Sequence, residues 1–496
     1  MKEIFPDSSN MFFLLKKTWG FLSKKRKREI NFLFLIVLSN SFTELISLIS
    51  IIPFLAVLVD PKSVYEISFI KEFAKLIRIS NSNELLMPLT NIFIFGTVIS
   101  GIMRLVFYFL TYRVAANIGS ELSSKAFKNS LYKPYNYHLK TNSSILITTI
   151  SKDINEIIYM VFVPIIQLIS ACFISCILIL FVLSISFNTP FFTLIVISIL
   201  YFLFFKSSSY TLTKFSKRNL LIGQSLTKLV QESLGAIREV IISNRYDFYI
   251  KKHIKDEKIF RREIATGTFL STLPRLVIEP AGIILLAFLG FFLIIQGKTN
   301  EVIPFIGTLS FSALKLLPYV QKIYEGITYP RLAKSRLINL LNILYGDSSS
   351  EFKERPAINI KLKQKINFKN IGFTYSKESL YIFKNLNFTI NVGDKIGLIG
   401  ETGSGKSTFL DLLTGLLPPT EGSIFIDERD LHHNKTKKGS LLKGWHKYLT
   451  NVPQNIFLAD TTIAENIALG VNKNNIDYEK INEVIELAVL TNFIKK

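Results

Sequence analysis

Gly400-Glu401-Thr402-Gly403-Ser404-Gly405-Lys406-Ser407-Thr408 is the stretch on which the reading of this chain turns. It fits the pattern GxxxxGK[ST], and its setting fits as well. The apolar run 395–399 predicts a short buried strand before it. The run 409–417 predicts a helix after it, ended by Pro418-Pro419. Glycines at these spacings let backbone N–H groups converge on phosphate oxygens without Cβ clashes. The helix N-terminus adds its partial positive charge. Gly400, Thr402, Gly403, Ser404, Gly405 and Thr408 form the cradle. Within it, Lys406 is placed to reach the β- and γ-phosphates, and the Ser407 hydroxyl to ligate Mg²⁺. At average residue usage, a random chain of this length shows the pattern in about 2% of cases, and the strand–loop–helix setting makes coincidence rarer still.

Outward from the loop the chain changes character. It has 496 residues, long enough for more than one domain. Its apolar content is 49%, concentrated before residue 330, while the last 140 or so residues read as an ordinary soluble domain. Residues 157–205 carry no charged side chain. A bilayer core about 30 Å thick needs roughly 20 apolar residues of helix, so this run predicts two spans, with Asn188-Thr189-Pro190 as the turn. Six spans follow in all, at about 30–59, 85–112, 157–187, 190–206, 273–296 and 302–320. The second continues as a polar helix. The excursions 113–156 and 206–262 are rich in charge, and the loop 297–301 is short.

The net charge of +22 fits this layout better than it fits a nucleic-acid partner. The basic clusters, led by Lys24-Lys25-Arg26-Lys27-Arg28, fall at the N-terminus and after even-numbered spans. That is the signature of cytoplasmic segments in a multi-pass protein of the cytoplasmic membrane. Basic arms that bind DNA do not alternate with membrane spans. Cys172 and Cys176 share one helix face inside an apolar run and read as buried small residues. No cleavable signal peptide is evident, because the first apolar run is long and lacks a small-residue cleavage site. His432, His433 and His446 lack ligand spacing.

With the phosphate loop, an upstream aromatic and a downstream Val-Pro-Gln in order, the chain resembles the ABC transporter family. Its membrane part is similar to the exporter-type permease with six helical spans, joined here to a C-terminal α/β P-loop NTPase domain. The membrane domain takes 1–330, a polar linker 331–356 and the ATP-binding domain 357–496. The resemblance implies that Tyr375 stacks on adenine and that Gln454 is the Q-loop glutamine sensing Mg²⁺ and the attacking water. It implies that segments 131–150 and 232–247 carry coupling helices. Each bound ATP would lie between two subunits, so a second copy of the chain is implied. The pattern around Glu44, Arg275 and 368–426 is similar to flippases of lipid-linked oligosaccharides.

The chain departs from the family after Gln454. A Leu-Ser-Gly-Gly signature, an Asp-Glu strand and a switch histidine are expected there and are missing, so the domain reads as truncated. That predicts weak nucleotide binding without useful hydrolysis by the chain as given. It also leaves a non-transporting, nucleotide-binding membrane regulator as the alternative. Five ionisable residues mark a candidate substrate path: Glu44, Arg104, Arg275, Lys315 and Lys322. A cationic lining suits a pyrophosphate headgroup. Arg275 and Glu279, four apart, either neutralise each other or serve the substrate.

Overall fold

The computed structural model describes residues 5–6, 9–76, 81–185, 188–295, 299–346, 356–376, 379–432, 440–454 and 456–494. Two compact units divide the chain, Met1–Glu354 and Arg355–Lys496.

The first unit is helical. Its long helices are Lys24–Val59, Leu86–Leu131, Val163–Ile185, Asn188–Gly235, Tyr246–Ile295 and Thr299–Leu332, and each overlaps one predicted span. By length and apolarity, the described residues give four helices able to cross a membrane: Lys24–Val59, Leu86–Leu131, Ser143–Ser184 and Tyr246–Phe292. The predicted fourth and sixth spans lie in Asn188–Gly235 and Thr299–Leu332. The ends of the third and fifth predicted spans, at 187 and 296, fall outside the described residues. Asn188-Thr189-Pro190 opens a helix rather than forming a separate turn. Pro190 is tolerated because the first turn has no intrahelical acceptor to lose.

Several helices run well past their apolar parts. The second ends nineteen residues beyond its predicted span, at Leu131, and the fifth begins far before its own, at Tyr246. The long fifth helix continues through Pro274 and Pro280. Gly326 marks a close crossing, since a Cβ there would lie 2.4 Å from Leu168 Cβ and 2.9 Å from the Pro164 carbonyl.

Two expectations for this unit are corrected. Cys172 and Cys176 are exposed, not buried. The helix that carries them is apolar all round, so periodicity could not choose its inner face. The linker is not a loose polar connection in its first half. Lys334–Tyr345 is a helix with Leu337, Leu340 and Leu341 fully buried. Those leucines, with Leu344, recur at helical spacing. They pack with Leu14 of the helix Met11–Phe21 and with Ile118, Leu122 and Ile157 of the long helices. The division into compact units falls between Glu354 and Arg355, within the predicted linker, and 347–355 lie outside the described residues.

The second unit holds a four-stranded sheet in the order β2-β1-β3-β4, with β1 Lys365–Phe373, β2 Phe383–Asn391, β3 Glu421–Ile426 and β4 Arg429–Asp430. All three pairings are antiparallel. Phe368 and Phe409 stack with ring centroids 5.0 Å apart, and Trp445 is buried beside them with its indole N–H on the Leu413 carbonyl at 2.9 Å. The buried strand expected at 395–399 is absent. This stretch is exposed and irregular, with Ile399 99% accessible. A central strand needs a partner on each edge, and no described strand pairs with it.

Candidate functional site

The phosphate loop follows this exposed stretch. Helix Lys406–Leu413 begins three residues before the expected start at Phe409, on Gly405 in a left-handed conformation (φ 96°). A side chain at that position would be strained by its φ and would also meet Ile382 Cγ2 at 2.7 Å. Gly403 is left-handed too. Together these turns present the first-turn N–H groups, which have no intrahelical acceptors, to the mouth of the loop. The helix stops at Leu413, short of Leu417, because Gly415 turns left-handed just after it.

Lys406 folds back over the loop, its Nζ donating to the carbonyls of Gly400 (2.6 Å) and Glu401 (2.8 Å). Its ammonium is thus held where the phosphate-facing N–H groups converge. Ser407 is exposed at the first turn, while Thr408 is buried. The Tyr375 and Thr408 hydroxyls lie 3.0 Å apart. Tyr375 also packs edge-on against Phe373, with centroids 5.0 Å apart. So Gly400–Thr408 and Tyr375 are brought together. Gln454 is not: it lies exposed on the irregular stretch between Leu449 and Thr462, with no hydrogen bond to the loop among the described residues. The donor set suits a polyphosphate. A ring of backbone N–H groups, one ammonium and an exposed hydroxyl are what Mg²⁺-ATP requires of this part of a site.

The membrane charges are paired: the Arg275–Glu279 contact was open to spacing, while the group around Glu44 was not. Glu44 of the first long helix is fully buried. Its Oε1 accepts from Arg104 Nε of the second long helix at 2.9 Å, and its Oε2 from Lys315 Nζ of the sixth at 2.8 Å. Lys315 also donates to Ser47 Oγ at 2.9 Å. Lys322 is held by Glu325 at 2.8 Å, and Arg275 by Glu279 at 3.4 Å. The expected cationic lining is therefore largely neutralised. Of Glu44's partners, one is 60 and the other 271 residues away in sequence, so no local pattern could announce them. Arg275 and Glu279 instead border a cavity of about 430 Å³ whose other walls are almost wholly apolar, among them Ile179, Ile278, Leu286 and Leu317.

Comparison with known proteins bears on both units. Residues 26–315 match the family described as ABC transporter transmembrane region, and residues 383–496 match ABC transporter. The Bacillus subtilis protein named Uncharacterized ABC transporter ATP-binding protein YfiB is 25% identical over 434 residues, 84% of this chain and 72% of that protein. The ATP-dependent lipid A-core flippase of Photorhabdus laumondii is 37% identical over 131 residues, only 26% of this chain and 21% of the flippase. In fold, a bacterial Atm1-family ABC exporter with ATP bound superposes at TM-score 0.68 and 16% identity, covering 95% of this chain and 78% of that one. The membrane-region match alone spans more than half of the chain, so the protein belongs to the ABC transporter family, with an exporter-type membrane unit and an ATP-binding unit in one polypeptide.

Proposed function

We propose that this chain is one half of an ATP-driven export machine. It pairs with a second copy of itself and moves or flips an amphipathic, lipid-linked molecule across the cytoplasmic membrane. The observation that carries the substrate class is the cavity of about 430 Å³ with Arg275 and Glu279 at its wall. Pockets of roughly 300–1,000 Å³ hold small ligands, and this one offers an apolar body with one polar anchor. That suits a molecule with hydrocarbon at one end and a charged group at the other, a lipid-linked oligosaccharide among them. The partial similarity to a lipid A-core flippase supports the same class. In this reading Arg104, Lys315, Glu44 and Lys322 would serve the same substrate path.

In this reading the ATP phosphates rest on Gly400–Thr408, Lys406 contacts the β- and γ-phosphates, and Ser407 with Gln454 holds Mg²⁺. Tyr375 lies against the adenine. The short helices Tyr135–Lys140 and Ile237–Ile242 would carry movement between the units. The second of these exposes Ile237, Ile241 and Ile242, an apolar surface that suits docking.

The test uses the full chain in lipid nanodiscs and in proteoliposomes. A fluorescent ATP analogue with Mg²⁺ should bind, and Lys406→Ala should weaken binding by about tenfold or more. A photoactivatable lipid-linked pyrophosphate should label the cavity saturably, and Gly282→Trp should abolish labelling. Unchanged nucleotide binding in Lys406→Ala would reject the nucleotide assignment. Failure of saturable labelling would reject the substrate class. Nucleotide binding and labelling without ATP-dependent movement of the lipid would favour a nucleotide-responsive membrane regulator.

A further inference from the structure

The helix Lys334–Tyr345 connects the last long helix to the ATP-binding unit, and it is fastened by a buried group of charges that the transport reading does not use. Arg336 is 2% exposed. Its Nε lies 3.4 Å from Asp153 Oδ1, and its Nη2 lies 2.9 Å from Glu156 Oε2. Asp153 is also buried, at 3%. Asn339, one turn along the same connector, donates to Thr149 Oγ1 at 2.7 Å. Asp153 and Glu156 sit three apart on one helix, so they share a face. The helix is widened into π-turns at Thr149–Asp153 and at Ile158–Phe162, on either side of the pair. Single π-turns often accompany functional positions.

Asp153 and Glu156 lie just before the charge-free run that begins at Ile157. Ile154 and Ile158 pack on Gly119, seven residues beyond the predicted end of the second span. Lys152 and Glu156 act on Asp153 from its own element, and Arg336 from the connector. On the surrounding helices Glu121 pairs with Arg26 and Lys125, Arg218 with Glu263, and Lys322 with Glu325. Lys334 lies on the connector two residues before Arg336.

Two carboxylates against one guanidinium leave a net negative charge in a buried place, which is costly. Asp153 Oδ2 and Glu156 Oε2 both lack a hydrogen-bond partner, although the second is at ion-pair distance from Arg336. One proton would remove the excess charge and turn one of these carboxylates into a group that can donate. We propose that Asp153 and Glu156 form a proton-binding site beneath Arg336, and that proton occupancy sets how firmly the connector helix is clamped to the membrane unit. Burial, opposed by Arg336 and reinforced by Glu156, pushes Asp153 up to about 6 from its ordinary 3.8. The folded value lies above the unfolded one. The folded chain therefore takes up a proton as pH falls through about 6, and the clamp tightens in that direction.

The test is hydrogen–deuterium exchange of the full chain in nanodiscs at pH 7.5 and 5.5. Exchange of peptide 334–345 is corrected for intrinsic rate and referred to peptide 365–373 of the same chain. Protection of the connector should rise about threefold or more at the lower pH. Asp153→Asn should be protected equally at both pH values. Glu156→Gln frees Arg336 to pair with Asp153 alone and should also lose the response in this range. Equal protection of the unaltered chain at both values would overturn the proposal, as would a full response in either folded variant.

Discussion

The charge clusters around Glu44 and Arg336 are near mirror images. Inside the membrane unit, one buried carboxylate serves two cations, Arg104 and Lys315. Below the spans, one buried guanidinium serves two carboxylates, Asp153 and Glu156. Each joins elements far apart in sequence, and each leaves one charge over. The surroundings then differ. Arg104 keeps 44% of its side chain accessible, so its excess charge can lean toward a polar medium. Arg336, at 3%, cannot, and neither can Asp153. The same arithmetic of charge therefore gives a relaxed junction in one place and a proton-hungry one in the other.

Breaking the tighter cluster is expected to have the largest effect. Arg336→Leu leaves buried Asp153 and partly buried Glu156 without their cation and should cost about 3–5 kcal/mol. The triple variant Arg336→Leu, Asp153→Asn, Glu156→Gln should recover most of that. Thermal unfolding in nanodiscs reads both, and a triple variant no better than the single one would deny that uncompensated charge is the cause. Glu44→Gln removes the shared acceptor of the other cluster. Because Arg104 can reorient, its cost should be smaller, about 1–3 kcal/mol. An effect as large as that of Arg336→Leu would remove the contrast between the clusters.

Further down the scale, Trp445→Phe in the ATP-binding unit keeps the ring and loses the bond to the Leu413 carbonyl. Destabilisation of about 1 kcal/mol is expected, confined to the second unit. An unchanged unfolding midpoint of the second unit would deny the bond that weight. The smallest effect concerns Asp427, whose carboxylate accepts from the Lys363, Gln364 and Lys365 N–H groups. Although burial opposes them, those N–H groups hold its carboxyl below the usual carboxylate range. Its contribution is present above about pH 4 and fades as pH falls through the lowered folded value. Exposed as it is, the gain is about 0.5–1 kcal/mol. Asp427→Asn should reduce the unfolding midpoint of the second unit at pH 7 and leave little difference at pH 2.

Much of the architecture was legible because its signals are local. A charge-free run from Ile157 to Phe205 cannot be a soluble surface. The glycines of the phosphate loop specify left-handed backbone at Gly403 and Gly405, which is where the structure has it. The helix Lys334–Tyr345 was equally legible in its leucine spacing, but its Lys, Arg and Asn residues masked a buried element as a polar linker. The stretch 395–399 shows the opposite failure. Its apolar run promised a buried strand, yet a strand is a property of its neighbours as much as of itself.

By itself, then, the sequence determined whatever depends on residues a few positions apart. That covers the helical spans, the phosphate loop with Lys406 and Ser407, and the division into a membrane part and an ATP-binding part. The tertiary structure alone decided which charges meet. Glu44 and Lys315 are 271 residues apart, and Asp153 and Arg336 are 183 apart. No periodicity encodes such encounters, since they arise only when packed helices bring distant turns to the same depth. Whether a buried charge is neutralised, shared or left in need of a proton is settled there, by which partners the packing supplies and how much solvent it leaves them.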